Sequence, residues 1–213
     1  MHFEILVEDQ SGKKALDILI PKIIGTQHKF KVRHYHGRGN IPKNFKNPTN
    51  AKKRHLLNYL PMHLSTYGKR YANDPTKVVI VVCDLDNWCL KTFRQELFTV
   101  LNACNPKPET RFCIAIEEGE AWLLGDISAI KAAYPKAKDN LLSNYKNDSI
   151  CGTWELLADA VFSGGSSALK NRGWQAAGRE KYAWAQKITP HMNVNKNASP
   201  SFCYFRDKMR ELI

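Results

Sequence analysis

The chain contains no acidic residue between Asp17 and Asp74, although 12 Lys and Arg residues lie in that stretch. Over all 213 residues there are 32 Lys and Arg against 20 Asp and Glu, which gives a net charge of +12. Outside the acid-free stretch the two signs are balanced, at 20 residues each. Charge of one sign that is concentrated in one segment favours a polyanionic partner over a general role in solubility.

Long apolar runs are also missing. The longest extends from Val78 to Cys83, which is far too short to span a bilayer. The first residues lack the basic segment and apolar stretch of a secretory signal, and none of the six cysteines forms a Cys-x-x-Cys pair. We therefore expect no membrane association, reduced cysteines and a cytoplasmic location. The 43% hydrophobic content is sufficient for a packed core and excludes global disorder.

Hydrophobic patterns predict strands that alternate with helices in the first part of the chain. Strands are expected at 2–8, 29–35, 77–83 and 111–116, and the β-branched run at 77–83 is typical of a strand buried on both faces. This order predicts an α/β fold with a Rossmann-like, mostly parallel four-stranded sheet flanked by helices.

Strand patterns stop after about Asp126. We therefore expect residues 1–126 to form the α/β domain and residues 127–213 to form a helical extension packed on it. The remaining expectations are a helix that starts near Asp9 and stops at Gly25, a loop at 37–50, a helix at 51–71 interrupted near Pro61, a flexible loop at 163–167 and a last helix with Ser199 as its cap.

Acidic residues follow three of the predicted strands. They are Glu8, then Asp84 and Asp86, then Glu118 and Glu120. Because the carboxyl ends of parallel strands share one edge of the sheet, these acids should converge there. Converging carboxylates repel unless a cation neutralises them, and their hard oxygens suit Mg²⁺ or Mn²⁺.

A simpler explanation exists for each acid alone. An Asp-x-Asp after a strand often only caps the next helix, and a lone Glu at a strand end is usually solvated. The expected position of all three acidic segments at one edge of the sheet favours a metal site over these explanations. Glu117 is a weaker candidate, because alternate residues of an extended segment point in opposite directions.

The acid-free stretch also contains candidate nucleic-acid contacts. Phe45 and Tyr35 are suited to stacking on bases, although a solvated helix face is the usual role of a short basic run. Trp154, Trp174 and Trp184 are expected in the core. The candidate phosphate contacts are Arg38, Lys43, Lys46, Lys52, Lys53 and Arg54.

Four segments in this order resemble a TOPRIM domain, the metal-binding fold of topoisomerases, primases and overcoming-lysogeny-defect (OLD) nucleases. The resemblance is closer to small, stand-alone OLD-like proteins of an uncharacterised bacterial family. It extends over nearly the whole chain. The segments are 3–8 (FEILVE), 118–126 (EGEAWLLGD), 181–185 (KYAWA) and 199–202 (SPSF).

The resemblance implies roles for these residues. Glu8 would bind metal and act as general base, and Asp84, Asp86, Glu118 and Glu120 would complete a Mg²⁺ or Mn²⁺ site in a TOPRIM-like fold. Lys181 would stabilise charge near the scissile phosphate.

The chain departs from the family pattern in two places and lacks one segment. Asp9 stands where TOPRIM sequences usually have Gly, and Gly12 stands where OLD nucleases often have another acid. No Gly-x-x-x-x-Gly-Lys-Ser/Thr loop is present, so the resemblance implies a separately encoded ATPase partner.

The leading hypothesis is a metal-dependent nuclease for DNA or RNA that acts in anti-phage defence. The first alternative is a catalytically incomplete nucleic-acid-binding or scaffold subunit. An Asp-x-Asp phosphatase or a nucleotide-sugar transferase is a further alternative. Phosphatases of the haloacid dehalogenase type usually have the Asp pair on the first strand, which would leave Glu8 unexplained.

Overall fold

A computed structural model describes residues 1–45, 54–149 and 151–213 of the chain. Within these ranges, four strands form one sheet in the order β2-β1-β3-β4, and every pairing is parallel. The predicted α/β fold is therefore confirmed. The strands are β1 (His2–Val7), β2 (Lys29–His34), β3 (Lys77–Asp84) and β4 (Thr110–Ala115).

Helices cover both faces of this sheet. None of the helices in the described ranges combines the length and apolar character that crossing a bilayer requires. The helices are α1 (Gln10–Ile24), α2 (Leu56–Tyr71), α3 (Leu90–Asn102), α4 (Glu120–Leu124), α5 (Ile127–Ala133), α6 (Asp139–Ser143), α7 (Thr153–Val161), α8 (Gly165–Asn171), α9 (Trp174–Ile188) and α10 (Pro200–Arg210).

The sheet separates two hydrophobic clusters. Alternate side chains of β1 serve the two faces: Phe3 and Ile5 pack with α1 and the C-terminal helices, whereas Leu6 packs with α2 and α3. Because β1 and β3 are central and covered on both sides, their sequences are nearly continuous apolar runs. The helices that follow Asp126 share the first cluster with the sheet, so their apolar faces are buried against it.

Helix ends follow the expected capping chemistry. Asp9 caps α1 by accepting a hydrogen bond from the Gly12 amide, and Gly25 ends the helix at φ +75°. Ser199 caps α10 by accepting a hydrogen bond from the Phe202 amide. Local hydrogen-bonding side chains thus define these boundaries.

Two expectations about local structure are wrong. Helix α2 continues through Pro61 without interruption, although it begins only at Leu56. The loop expected at 163–167 is a short turn, because α8 already begins at Gly165. The Asp159 carboxylate accepts a hydrogen bond from the Ser166 amide at 2.6 Å and holds the first turn of α8 in place.

A buried carboxylate lies on the α2 side of β1. Glu4 is only 3% exposed and pairs with Arg33 on the neighbouring strand β2. His2 lies 3.6 Å from the same carboxylate. A buried charge is tolerated only when it is paired, because its desolvation is otherwise uncompensated.

Replacing Arg33 by Met should therefore destabilise the fold. Because the Arg33 side chain is 40% exposed, we expect a loss of about 2 kcal/mol in the free energy of unfolding, below the 3–5 kcal/mol of a fully buried pair. Urea denaturation at pH 7 measures it. The double variant Arg33→Met/Glu4→Gln should recover most of the loss, and no recovery would contradict the assignment.

Candidate active site

The carboxyl ends of the strands place three acidic segments at one edge of the sheet. Pairing between β3 and β4 continues beyond the strands: the Leu85 amide donates to the Ala115 carbonyl at 2.9 Å, and the Asp86 amide donates to the Glu117 carbonyl at 2.8 Å. These bonds hold the segment after β3 against the segment after β4. The structure therefore brings the predicted acids to a common edge.

Glu8 and Asp84 form the centre of this edge. Glu8 Oε2 accepts a hydrogen bond from the Asp84 amide at 3.0 Å. Burial raises the pKa of Glu8 to about 7 and raises that of Asp84 well above its ordinary value. The negative charge of Glu8 raises the pKa of Asp84 further, and those of Asp86 and Asp9 raise the pKa of Glu8 further, because like charges repel.

Lys181 joins this edge from helix α9. Its Nζ lies 2.7 Å from Glu118 Oε2 and 3.3 Å from Glu120 Oε2. Burial raises the pKa of Glu118 to about 7 despite this contact. Burial alone would lower the pKa of Lys181, but Glu120 and Glu118 raise it above its ordinary value, so the ammonium group keeps its charge.

Arg38 forms the second ion pair of the site. Its Nη1 lies 2.8 Å from Asp86 Oδ2 and donates to the Leu85 carbonyl at 3.0 Å. The guanidinium lies 4.7 Å from the centre of the Trp88 ring and is 12% exposed. Asp86 itself has φ +49°, a conformation that non-glycine residues seldom adopt and that functional sites often retain.

The two positions that differ from the TOPRIM and OLD pattern, Asp9 and Gly12, have local structural roles. Asp9 directs its carboxylate into the first turn of α1, where it accepts from the Gly12 amide at 2.7 Å and the Ser11 hydroxyl at 2.6 Å. A Cβ on Gly12 would lie 2.7 Å from Val7 Cγ2. The close packing of α1 on β1 therefore leaves no room for an acidic side chain at position 12.

Glu117 has a different partner from the other acids. Its carboxylate accepts hydrogen bonds from the Gly152 amide, the Thr153 amide and the Thr153 hydroxyl. It thus caps the amino end of α7, where unsatisfied amides favour a negative charge. Glu117 is directed away from Glu8 and Asp84 and serves the fold.

The acids line two spaces that share Glu8, Asp84 and Lys181. A cavity of about 50 Å³ is lined by these residues and Glu120 together with apolar residues of α1 and β3. An open cleft of about 500 Å³ also includes Asp86 and Glu118. The cavity accommodates only an ion or a few water molecules, whereas the cleft has the volume of an ordinary ligand site.

The donor set can be compared with the needs of a divalent ion. Carboxylate oxygens are suited to Mg²⁺ and Mn²⁺, and the partly buried Glu8 and Asp84 lie together beside the cavity. Among the described residues, however, no group of three or more His, Cys, Asp or Glu side chains is close enough to hold a metal. The chemistry of the donors fits the ion, but their present rotamers leave Glu118, Glu120 and Asp86 paired with cations.

The predicted nucleic-acid contacts are distributed unevenly. Lys43 and Arg54 are exposed, as phosphate contacts must be. Arg38 is turned inward against Asp86, so we assign it to positioning that acid. Lys46, Lys52 and Lys53 lie outside the described residues.

Of the three tryptophans that the sequence predicts in the core, one lies elsewhere. Trp184 is buried, but Trp174 is 78% exposed at the start of α9 and lines the cleft. Trp154 is partly buried and lines the same cleft. Trp174 and Lys181 are seven residues apart and therefore lie on one helix face. This spacing is the sequence signal that places Trp174 on the same side of the helix as the predicted site residue Lys181.

The fold and the site together define an α/β protein with a carboxylate cluster at the carboxyl edge of a parallel sheet. A family described as a domain of unknown function, DUF4276, matches residues 7–210. Because the match covers almost the whole chain, the protein belongs to this family. Searches of curated proteins and of solved structures gave no match.

Replacing Asp84 by Asn should stabilise the protein, because the change removes a carboxyl group whose ionisation is disfavoured first by desolvation and then by the negative charge of Glu8. The raised carboxyl pKa values mean that the folded state binds more protons than the unfolded chain. The free energy of unfolding should therefore fall as pH rises from 4.5 through about 7.

Asp84→Asn should weaken this pH dependence and raise the melting temperature at pH 8 by about 3 °C. Thermal unfolding at several pH values measures both effects. Asp139→Asn is the matched control, because the Asp139 side chain is 71% exposed. A lower melting temperature for Asp84→Asn would contradict the proposed repulsion.

Proposed function

We propose that the protein is a divalent-metal-dependent nuclease that hydrolyses phosphodiester bonds of DNA or RNA. The observation that carries the proposal is the contact between the Glu8 carboxylate and the Asp84 amide, which joins two partly buried acids from adjacent parallel strands. Among the described residues neither of these carboxylates forms an ion pair, and Arg38 contacts Asp84 through its backbone carbonyl. An excess of negative charge beside a small cavity is suited to Mg²⁺ or Mn²⁺.

The basic character of the chain supports a polyanionic substrate. The chain carries a net charge of +12, and exposed Lys43 and Arg54 belong to its acid-free stretch. Long-range attraction of this sign raises the local concentration of a polyanion. The acids of the active site would repel a phosphate without a bound metal, so the two features are complementary.

Hydrolysis adds a hydroxyl group to phosphorus and breaks one ester P–O bond, and the attacking water loses a proton. Glu8 is the candidate acceptor of that proton, because its pKa of about 7 suits a base near neutral pH. A bound divalent ion would supply Lewis acidity and lower the pKa of water. Lys181 keeps its proton and stabilises negative charge on the leaving oxygen, which is then protonated by solvent.

Metal binding requires some acids to exchange partners. Glu118 and Glu120 are paired with Lys181, and Asp86 is paired with Arg38. Rotation of Glu118 or Asp86 toward Glu8 and Asp84 would add oxygen ligands. Rotation of Glu118 would also leave Lys181 paired with Glu120 and give its ammonium group room for a contact with a phosphate.

The TOPRIM and OLD resemblance extends the proposal to its cellular setting. It supports a cytoplasmic role in anti-phage defence together with a separately encoded ATPase. Copurification with an ATPase encoded beside this gene would test that part.

A second candidate function is a nucleic-acid-binding or scaffold subunit without catalysis. The observation that favours it is that no group of three metal-binding side chains converges among the described residues. This candidate predicts salt-sensitive binding without turnover, in which Arg54 matters more than Asp84.

Mn²⁺ or Mg²⁺ should raise the melting temperature of the wild type, because an ion that binds only the folded state stabilises it. Asp84→Asn should lose this increase, and Asp139→Asn should keep it. Differential scanning calorimetry with 0 and excess metal measures the effect. Equal increases in both variants would argue against a metal site at Asp84.

Nuclease activity should depend on the same residue. We expect wild type with Mn²⁺ or Mg²⁺ to cut DNA or RNA, and Asp84→Asn to be slower by about a hundredfold, the usual cost of losing one electrostatic contribution to the transition state. Gel analysis of labelled oligonucleotides and plasmid measures cleavage, with Asp139→Asn as control. Equal cutting by wild type and Asp84→Asn, or hydrolysis of small phosphomonoesters alone, would reject the proposal.

A further inference from the structure

One face of helix α9 forms a wall of the cleft that also contains the acids. Trp174, Ala177, Gly178 and Lys181 all line the cleft and follow the i, i+3, i+4, i+7 spacing of a single helix face. The same face continues toward the carboxyl end of α9, where Trp184, Ala185 and Ile188 are buried in the core. Only the amino-terminal half of this face therefore borders the cleft.

Trp174 is the main apolar surface of this wall. It is 78% exposed and lines the cleft, so its ring offers a large, accessible apolar surface there. Gly173 before it adopts φ +80°, so the helix starts abruptly and directs Trp174 toward the cleft opening.

Trp154 adds a second aromatic ring to the cleft, and two cations lie over it. Lys170 Nζ lies 5.4 Å and Lys181 Nζ lies 5.7 Å from the ring centre. Both lysines also line the cleft. Flat apolar rings interleaved with ammonium groups match the alternation of bases and phosphates along a nucleic-acid strand.

The wall also contains a gap between its large residues. A Cβ on Gly178 would meet no atom within 4 Å. The missing side chain is therefore not explained by close packing, and it leaves open space between Trp174 and Lys181. The cleft of about 500 Å³ is within the usual range for a site that binds a small organic ligand.

We propose that this wall binds an unpaired nucleobase next to the scissile phosphate, so that the substrate is single-stranded nucleic acid. The inference rests on the proposed nuclease function, because it assigns the substrate class of the same site. In a duplex both faces of each base are covered by neighbouring pairs. A Trp side chain in a cleft therefore stacks on a base only where the strand is unpaired or opened.

Binding measured without metal tests the wall separately from catalysis. Fluorescence anisotropy in EDTA would compare a labelled 12-nucleotide DNA strand, the same sequence as RNA, and the DNA duplex. We expect the wild type to prefer a single strand, and Trp174→Ala to weaken that binding about tenfold. Trp174→Phe should keep most of the affinity, because a smaller ring still stacks.

Gly178→Leu provides a variant with opposite effects on stability and binding. Leu favours a helix more than Gly does, so the melting temperature should rise. Its side chain should fill the gap and weaken single-strand binding about tenfold, as loss of one stacked base does. Phe98→Ala is the matched control for Trp174→Ala. Phe98 is also an exposed aromatic residue, at 40%, but it lies on α3 outside the cleft.

The outcomes distinguish this inference from the proposed function. Unchanged single-strand binding by Trp174→Ala and Gly178→Leu, or tighter binding of duplex than of single strand, would overturn the inference even if cleavage occurs. Loss of single-strand binding in both variants, without any metal-dependent cleavage by the wild type, would support the wall and reject the nuclease. Self-association that disappears in Trp174→Ala, with normal single-strand binding, would assign Trp174 to a protein contact and overturn the inference.

Discussion

The contact between Glu8 and Asp84 is the constraint on which the rest of the site depends. Parallel pairing of β1 with β3 places Val7 beside Val82, so the residues that follow come out of the sheet as neighbours. Desolvation raises the pKa values of both carboxyls, and the negative charge of Glu8 raises that of Asp84 further. The apolar core on both faces of the sheet must offset this cost, and the continuous hydrophobic runs of β1 and β3 provide that burial.

The remaining charges of the site are organised around this pair. Lys181 neutralises acids that follow β4, and Arg38 neutralises the exposed member of the Asp-x-Asp segment. Five acids therefore have two close cations, which leaves the centre short of positive charge. The C-terminal helices are part of this arrangement because α9 packs on α1 and carries Lys181 to the sheet edge. Without those helices, the α/β part would keep its acids but lose one of their counter-ions.

Sequence patterns predicted the elements whose signals are local. Strand β3 followed from its β-branched run, and α1 and α10 followed from Asp9 and Ser199 at their caps. The position of the acids at one common edge followed from the parallel sheet. The inward turn of Arg38 did not, because it depends on how the segment after β2 crosses the sheet edge, where Gly37 has φ +100°. The exposure of Trp174 was also missed, since an aromatic residue on a helix predicts burial unless the helix neighbours are known.

The exposed aromatic wall and the acidic edge indicate a function only when they are considered together. An acidic cluster alone is compatible with ion storage, and an exposed Trp alone is compatible with a protein contact. Here both line one cleft, and Lys181 touches both: it pairs with Glu118 and lies over the Trp154 ring. A group bound against the wall would therefore change the environment of the same ammonium that holds Glu118. Under the proposed function, release of Glu118 by Lys181 would couple binding of a strand to completion of the metal ligand set.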